Sequence, residues 1–520
     1  LQVAVSLPIS VKSGGAVKPP WITELGGGVS SEHPVASRLG VDVLNLGGNA
    51  IDAAITTSLA LALTQPHLGG LGGDFFAMVY SAKDGRVYFL NASGWAPRRL
   101  SKELLAQRGL STVPLKGPLS PVVPGLLAGL HALWRRFGSA EWASLVRPVV
   151  ETARKGFPAS PSFTRAINAV IGEVKDNEGF RRTYSLTPRP WNLIRIEPLT
   201  KTLELVMEHG PDILYRGEVG QALVEYVQSM GGVMEMDDLR EYEPEWRDPL
   251  SADYRGFTIY ESPPNTQGIT TLMILKILET IKDAGEVFSR RRIETYLGVY
   301  RIAYELRDKY VGDPRFVEVP VNKLLDVGFL LSEYSTRSRT QLRGSGDTTY
   351  FVVVDKEGNI VSAIQSLYHH FGSLITEPRY GITLNNRASD FSMDGPNILM
   401  PRKRPLHTLS TVIITKEEEP KYALGTSGAH FRPQQHTLFI TNMVDYGLSP
   451  VEAIDAPRFL WDRKSLIIED GFEVAGLTEP HQVVRYPGST GVASILAFMD
   501  DGRKLLHADI RGDGLALGQW

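Results

Sequence analysis

The chain has 520 residues, enough for one large enzyme domain or several average ones, and is no mini-protein held by disulfides or a metal. Lys+Arg 55 against Asp+Glu 58 leave a net charge of −3, so no global positive field draws in a nucleic acid backbone or an anionic membrane. The 42% hydrophobic and 22% charged residues belong to a folded chain, and the absence of cysteine leaves catalysis to oxygen and nitrogen groups.

Leu1 to Gly15 lacks a basic region followed by an apolar core; a soluble, cytoplasmic protein is the expectation, with removal of a leader left open. The longest apolar run, Ala50 to Leu63, is interrupted by Asp52 and Thr56-Thr57. It falls short of the roughly 20 residues a membrane span needs. An Asn/Asp-bearing turn at Gly47-Gly48-Asn49 feeds this run, predicting a buried helix that ends at Gln65-Pro66. Gly69-Gly70-Leu71-Gly72-Gly73-Asp74 follows, then a strand over Phe75 to Tyr80. A dinucleotide-binding glycine run would follow a strand and open a helix, the reverse of this order.

From Leu100 to Thr340 the pattern predicts mainly helices, with three- and four-residue apolar spacing in Thr202 to Glu208, Val219 to Met230, Ile269 to Ile281 and Ile293 to Tyr310. Breaks fall at Ser262-Pro263-Pro264-Asn265 and Gly312-Asp313-Pro314. Leu342 to Gly346 is polar and flexible in composition. Tyr350 to Asp355 and Ile360 to Leu367 then flank Lys356-Glu357-Gly358-Asn359 as a hairpin. Further strands are predicted at Thr411 to Thr415, Tyr422 to Gly425 and Val492 to Met499, and Lys416 to Glu419 reads as a solvated turn. A helical first two-thirds and a strand-rich last third predict a layered α+β architecture.

No phosphate-binding loop, two-histidine zinc helix or Gly-x-Ser-x-Gly elbow is present. What stands out is Gly344-Ser345-Gly346-Asp347-Thr348-Thr349-Tyr350, a hydroxyl residue between a flexible stretch and a hairpin strand. A threonine pair alone is weak, since Thr56-Thr57 and Thr270-Thr271 occur in helical contexts. If the Asp347–Thr348 bond is broken, however, the freed α-amine, with a reference pKa of about 7.7–8.0, can take the hydroxyl proton. Nucleophile and base then sit on one residue.

Several segments, in this order, resemble signatures of the γ-glutamyltranspeptidase family of N-terminal-nucleophile hydrolases. They are Gly47 to Ala54, Gly69 to Asp74, Val123-Pro124-Gly125, Pro263 to Gly268, Asp347 to Asn359, Leu384-Asn385-Asn386 with Asp390-Phe391-Ser392, Arg404-Pro405-Leu406, and Ala508 to Arg511. The resemblance implies a four-layer αββα sandwich, without metal or organic cofactor. It also implies a precursor that cuts itself into regions 1–347 and 348–520, which remain parts of one domain; a homodimer is left open. Thr348 matches the nucleophile, Thr349 follows it, and Ser366 matches a hydroxyl bonded to it. Gly428 and Ala429 match the paired glycines of an oxyanion hole, and alanine keeps the needed N–H. Asn385 and Asn386 match an asparagine pair, and Asp390 matches a carboxylate that meets the donor ammonium.

The departures lie in the substrate pocket. Ser93 stands where the family carries an arginine for the donor carboxylate, Tyr368 where it carries an asparagine, and His407 and Thr408 where it carries paired serines. Arg387 replaces a neutral or acidic residue beside Asp390. These features resemble the acylase-like branch, which includes cephalosporin acylases. The expected function is therefore an autoprocessing N-terminal-threonine amidohydrolase acting on a small-molecule acyl or γ-glutamyl-like amide. A true γ-glutamyltransferase and a non-catalytic binding protein are the alternatives. A salt link between Arg387 and Asp390 is one way to neutralise the pocket.

Overall fold

A computed structural model describes residues 21–334 and 347–519, so Leu1 to Gly15 and the Gly344-Ser345-Gly346 approach to Thr348 lie outside the described residues. Fourteen strands build two seven-stranded sheets. In chain order they are β1 (Trp21–Glu24), β2 (Gly28–Ser31), β3 (Asp74–Ser81), β4 (Arg86–Ala92), β5 (Glu245–Arg247), β6 (Leu250–Tyr254) and β7 (Phe257–Glu261). After them come β8 (Asp347–Val354), β9 (Ile360–Tyr368), β10 (Val412–Lys416), β11 (Glu419–Thr426), β12 (Ala493–Phe498), β13 (Lys504–Ala508) and β14 (Leu515–Gly518). One sheet runs β1-β13-β12-β11-β10-β7-β6 and the other β14-β2-β8-β9-β3-β4-β5.

Alternation along the hairpin shows how the layers arise. Phe351, Val353, Val361 and Ala363 pack under the helices, whereas Tyr350, Val352, Val354, Ile360 and Ile364 fill the space between the sheets with Leu409, Ile413, Ala423 and Leu496. Both faces of the strand are covered, which is why its sequence reads as an unbroken apolar run. The helix α1 (Ala50–Thr64) is buried along its whole length on the outer side of this sheet; Asn49 and Asp52 close a capping box at its start. Across the molecule, α2 (Gly268–Thr280), α3 (Arg290–Tyr310) and α4 (Arg432–Val444) cover the other sheet. The result is the expected αββα sandwich.

One expectation is corrected. The strands do not concentrate in the last third: β1 to β7 all lie at or before Glu261 and make up half of the two sheets. β1, β2 and β5 are only three or four residues long, β6 mixes exposed polar positions with apolar ones and β7 mixes half-buried polar positions with apolar ones, so no clear period stands out against the neighbouring helices. Pro66, expected as a helix stop, begins a further turn, Pro66–Gly69. Among the described residues no helix is long and apolar enough to cross a membrane.

Candidate active site

β8 starts at Asp347, which pairs with Tyr368, while Thr349 pairs with Gln365; the register shifts between them, at Thr348. Such an irregularity re-aims a side chain at a strand end. Thr348 is 2% exposed, and its Oγ1 donates to Ser366 Oγ at 3.2 Å. Ser366 Oγ in turn accepts the Tyr368 N–H at 2.8 Å, which fixes its position. Thr349 does not join this pair. Its buried Oγ1 has no partner, and its methyl group lies against the glycine loop, where a Cβ on Gly69 would come within 2.8 Å of it.

The end of β11 lies against the start of β8, where a Cβ on Gly425 would meet the Tyr350 ring at 2.3 Å, and the next loop follows from it. Gly428 has φ +138° and a would-be Cβ 2.3 Å from Gln435 Oε1, so glycine is required there. Ala429 adopts φ +45°, a left-handed conformation that alanine rarely takes. Among the described residues, neither the Gly428 nor the Ala429 N–H donates to a protein acceptor. Ala429 is buried and Gly428 half-buried, and two adjacent open backbone donors are what an oxyanion hole needs. The Ala429 carbonyl is held by Gln267 Nε2 at 2.7 Å.

The charged groups sort into two buried clusters. In the first, Asp74 Oδ2 meets His407 Nε2 at 3.0 Å and Arg387 Nε at 3.4 Å, and Oδ1 accepts the Gly94 N–H at 2.8 Å. His407 Nδ1 accepts the Leu409 N–H, so its ring proton sits on Nε2 and points at Asp74. Burial, then Arg387, push the His407 pKa down to about 4, and the ring is neutral at pH 7. Burial alone would raise the Asp74 pKa, but His407 and Arg387 bring it below the usual carboxylate value. Arg387 Nη1 donates to Thr408 Oγ1 at 2.8 Å, and Nη2 is left without a partner.

In the second cluster, Asp390 Oδ1 accepts from Tyr368 OH at 3.1 Å and meets His430 Nε2 at 3.2 Å. Arg307 Nη1 lies 3.1 Å from His430 Nδ1. A guanidinium only donates, so the ring proton belongs on Nε2, facing Asp390. Burial and Arg307 hold the His430 pKa below its ordinary value, so a hydrogen bond from neutral imidazole joins the pair. Although burial opposes it, His430, Arg387 and the Tyr368 hydroxyl bring the Asp390 pKa down to about 2. The Arg387 guanidinium stacks on the Tyr368 ring at 4.1 Å. Asp390 Oδ2 is buried and unpartnered.

The salt link weighed between Arg387 and Asp390 is therefore replaced: Arg387 pairs with Asp74, and Asp390 with His430. The single N–H of His407 is likewise taken by Asp74 and is not free for an acyl chain. Ser93 is fully buried, with both N–H and Oγ directed to Asn91 Oδ1 at 3.0 and 2.7 Å. Asn385 accepts from Val122 and Arg387 and donates to Gly72 and Val122 carbonyls. Asn386 bonds Leu115 and His369. Both asparagines thus brace loops. Sequence reasoning gave no role to Asp74, Gln267, Arg307 or Arg432; only Asp74 carried a signal, a carboxylate ending a glycine run directly before an apolar strand.

The gamma-glutamyltranspeptidase family model matches residues 36–518. The glutathione hydrolase-like YwrD proenzyme of Bacillus subtilis (strain 168) is 34% identical over 94% of this chain and 98% of its own length. The acylase ACY 1 proenzyme of Pseudomonas sp. (strain SE83) is 30% identical over 94% of this chain and 92% of its own. The crystal structure of cephalosporin acylase from Bacillus halodurans superposes with a TM-score of 0.90 at 30% identity, covering 99% of both chains.

Proposed function

We propose a specific reaction for this chain, which belongs to the gamma-glutamyltranspeptidase family and is an enzyme of it: hydrolysis of a small acyl amide by Thr348 acting as an N-terminal nucleophile. The observation that carries the reading is the buried Thr348–Ser366 hydroxyl pair, together with a loop that has two open backbone N–H groups and whose His430 Nε2 lies 3.5 Å from the hydroxyl of Tyr368, the residue that holds Ser366. In maturation, Thr348 Oγ attacks the Asp347 carbonyl carbon and the acyl group moves from nitrogen to oxygen, which breaks the peptide C–N bond and frees the Thr348 amine; water then hydrolyses the ester, releasing the Asp347 carboxylate and restoring the Thr348 hydroxyl. In turnover, that amine accepts the hydroxyl proton as Oγ attacks the substrate amide. Gly428 and Ala429 stabilise the oxyanion, the leaving amine departs with a proton, and water releases the acid.

Regions 1–347 and 348–520 stay together after cleavage on this reading. β8 and β9 sit between β2 and β3 in one sheet, and β10 pairs with β7 in the other, so separation would tear both sheets. A γ-glutamyl donor is the second reading, favoured by the open Asp390 Oδ2, which suits an ammonium. Intact-mass and N-terminal analysis tests the main reading: the unmodified protein should yield a fragment beginning at Thr348, and Thr348→Ala should remain one chain. A short incubation with an activated acyl donor should place the adduct on Thr348; a new terminus at another residue refutes the assignment.

A further inference from the structure

Arg432 opens α4 and is fully buried. Its Nε donates to the Thr426 carbonyl at 2.7 Å, while Nη1 and Nη2, with four N–H groups between them, have no hydrogen-bond partner. The other large buried arginines are provided for. Arg387, Arg404 and Arg458 each meet a carboxylate, and Arg292 gives both Nη atoms to neutral oxygens. Among the described residues, no carboxylate forms an ion pair with Arg432. The acids whose fields reach it are already engaged: Glu261 Oε1 meets His436 at 2.8 Å, and Glu32 Oε1 accepts the Tyr350 N–H at 3.2 Å.

A guanidinium stripped of water and left without an anion carries a large desolvation cost. Burial and the nearby Arg387 bring its pKa to about 9, which still leaves it charged at neutral pH. Its location gives the charge a use. The carbonyl that anchors Nε belongs to Thr426, two residues before Gly428 in the loop with the open N–H pair. Arg387, within electrostatic reach, leaves its own Nη2 open.

We infer that Arg432, assisted by Arg387 Nη2, is a carboxylate-receiving site, so that the substrate carries a carboxylate that neutralises the buried fork. A planar fork accepts a carboxylate through two parallel bonds, which lysine cannot reproduce. The inference deepens the amidohydrolase reading and rests on it for the identity of the ligand. The carboxylate sits either on the acyl chain or on the leaving amine, and substrate pairs separate the two.

Thermal melting of the purified protein with sodium glutarate, against sodium chloride at equal ionic strength, reads binding without turnover. Saturating glutarate should raise Tm by about 2 °C or more in the unmodified protein and leave Arg432→Gln unmoved. No rise, or an equal rise in the variant, overturns the site. Kinetically, the kcat/KM ratio of glutaryl p-nitroanilide to its methyl ester should fall about tenfold or more in Arg432→Gln if the carboxylate is on the acyl chain. If it is on the leaving amine, the same fall appears between butyryl amides of 4-aminobenzoate and aniline. Neither ratio falling overturns the proposal. Should Arg432→Gln fail to fold, Arg432→Lys keeps the charge without the fork and should lower the same ratio; an unchanged ratio overturns it. A glutarate-dependent rise in a protein that cleaves no amide would leave the anion site standing and instead refute the amidohydrolase reading.

Discussion

Replacing Asp74 by asparagine tests the buried charge arrangement, because the swap keeps the shape, removes the charge and turns the oxygen that accepts from His407 and Arg387 into an NH2 donor. The amide oxygen of the new side chain would still accept the Gly94 N–H, which Asp74 Oδ1 meets at 2.8 Å. The Arg387 guanidinium, however, is fully buried and loses the one carboxylate with which it forms an ion pair among the described residues. Removing one member of a buried pair costs about 3–5 kcal/mol, because the remaining charge has no counterion. For a chain of this size the unfolding entropy is roughly 1 kcal/mol per kelvin, so Tm should fall by about 3–5 °C. Calorimetry of Asp74→Asn, Arg387→Met and the double variant separates pairing from packing. The double variant should lose much less than the sum of the two single losses. Additive losses, or a fall of less than about 1 °C for Asp74→Asn, would show that Asp74 does not neutralise Arg387.

Acid sensitivity follows from buried neutral histidines. Burial lowers the His407 and His33 pKa values to about 4, below the ordinary value near 6.5. Between those pH values the unfolded chain binds protons that the folded one refuses, so stability falls as pH drops from about 6.5 to 4, by at most about 3 kcal/mol per histidine. Melting curves across this range should flatten in His407→Gln; a slope equal to that of the unmodified protein contradicts the assignment. Gly428→Ala would drive a methyl group into Gln435 and lower kcat by about 10²–10³-fold if the loop supplies the oxyanion donors, whereas Ala429→Gly should retain activity. Steady-state rates on an anilide substrate check both. Ser93→Arg should not restore a γ-glutamyl preference, since Ser93 is fully buried and bonded to Asn91, and it should lower Tm by several degrees. A strong gain in kcat/KM for γ-glutamyl p-nitroanilide over the glutaryl amide would contradict that.

The parts of the fold legible in the sequence were those with one dominant period. The α1 segment, bracketed by Asn49 and Pro66, and the β8–β9 hairpin, bracketed by Gly358-Asn359, each carry their stop signals beside an apolar run. β5 to β7 were lost because a sheet can absorb a short, half-polar strand when its neighbours supply the burial. The proposed nucleophile could be read from sequence because its chemistry is local: hydroxyl, amine and the bond proposed to break all belong to Asp347-Thr348. Charge partners were not. Asp74 and His407 are 333 residues apart, and Arg387 has Asp390 only three positions away yet pairs with Asp74, distant in sequence.

That choice of partner has a geometric cause. Arg387 and Asp390 belong to one short 3-10 turn, Arg387–Asp390, and Tyr368 stands beside both. Its ring carries the guanidinium at 4.1 Å, while its hydroxyl reaches the carboxylate at 3.1 Å. With the ring accepting the cation on its face and the hydroxyl donating to the acid, the two charges are held apart instead of closing on each other. An asparagine side chain at this position, the residue type the family pattern places there, has no ring to do this. Tyr368 in place of an asparagine therefore also keeps one arginine nitrogen and one aspartate oxygen without a partner. Donor and acceptor are left open because an aromatic side chain prevents them from satisfying one another.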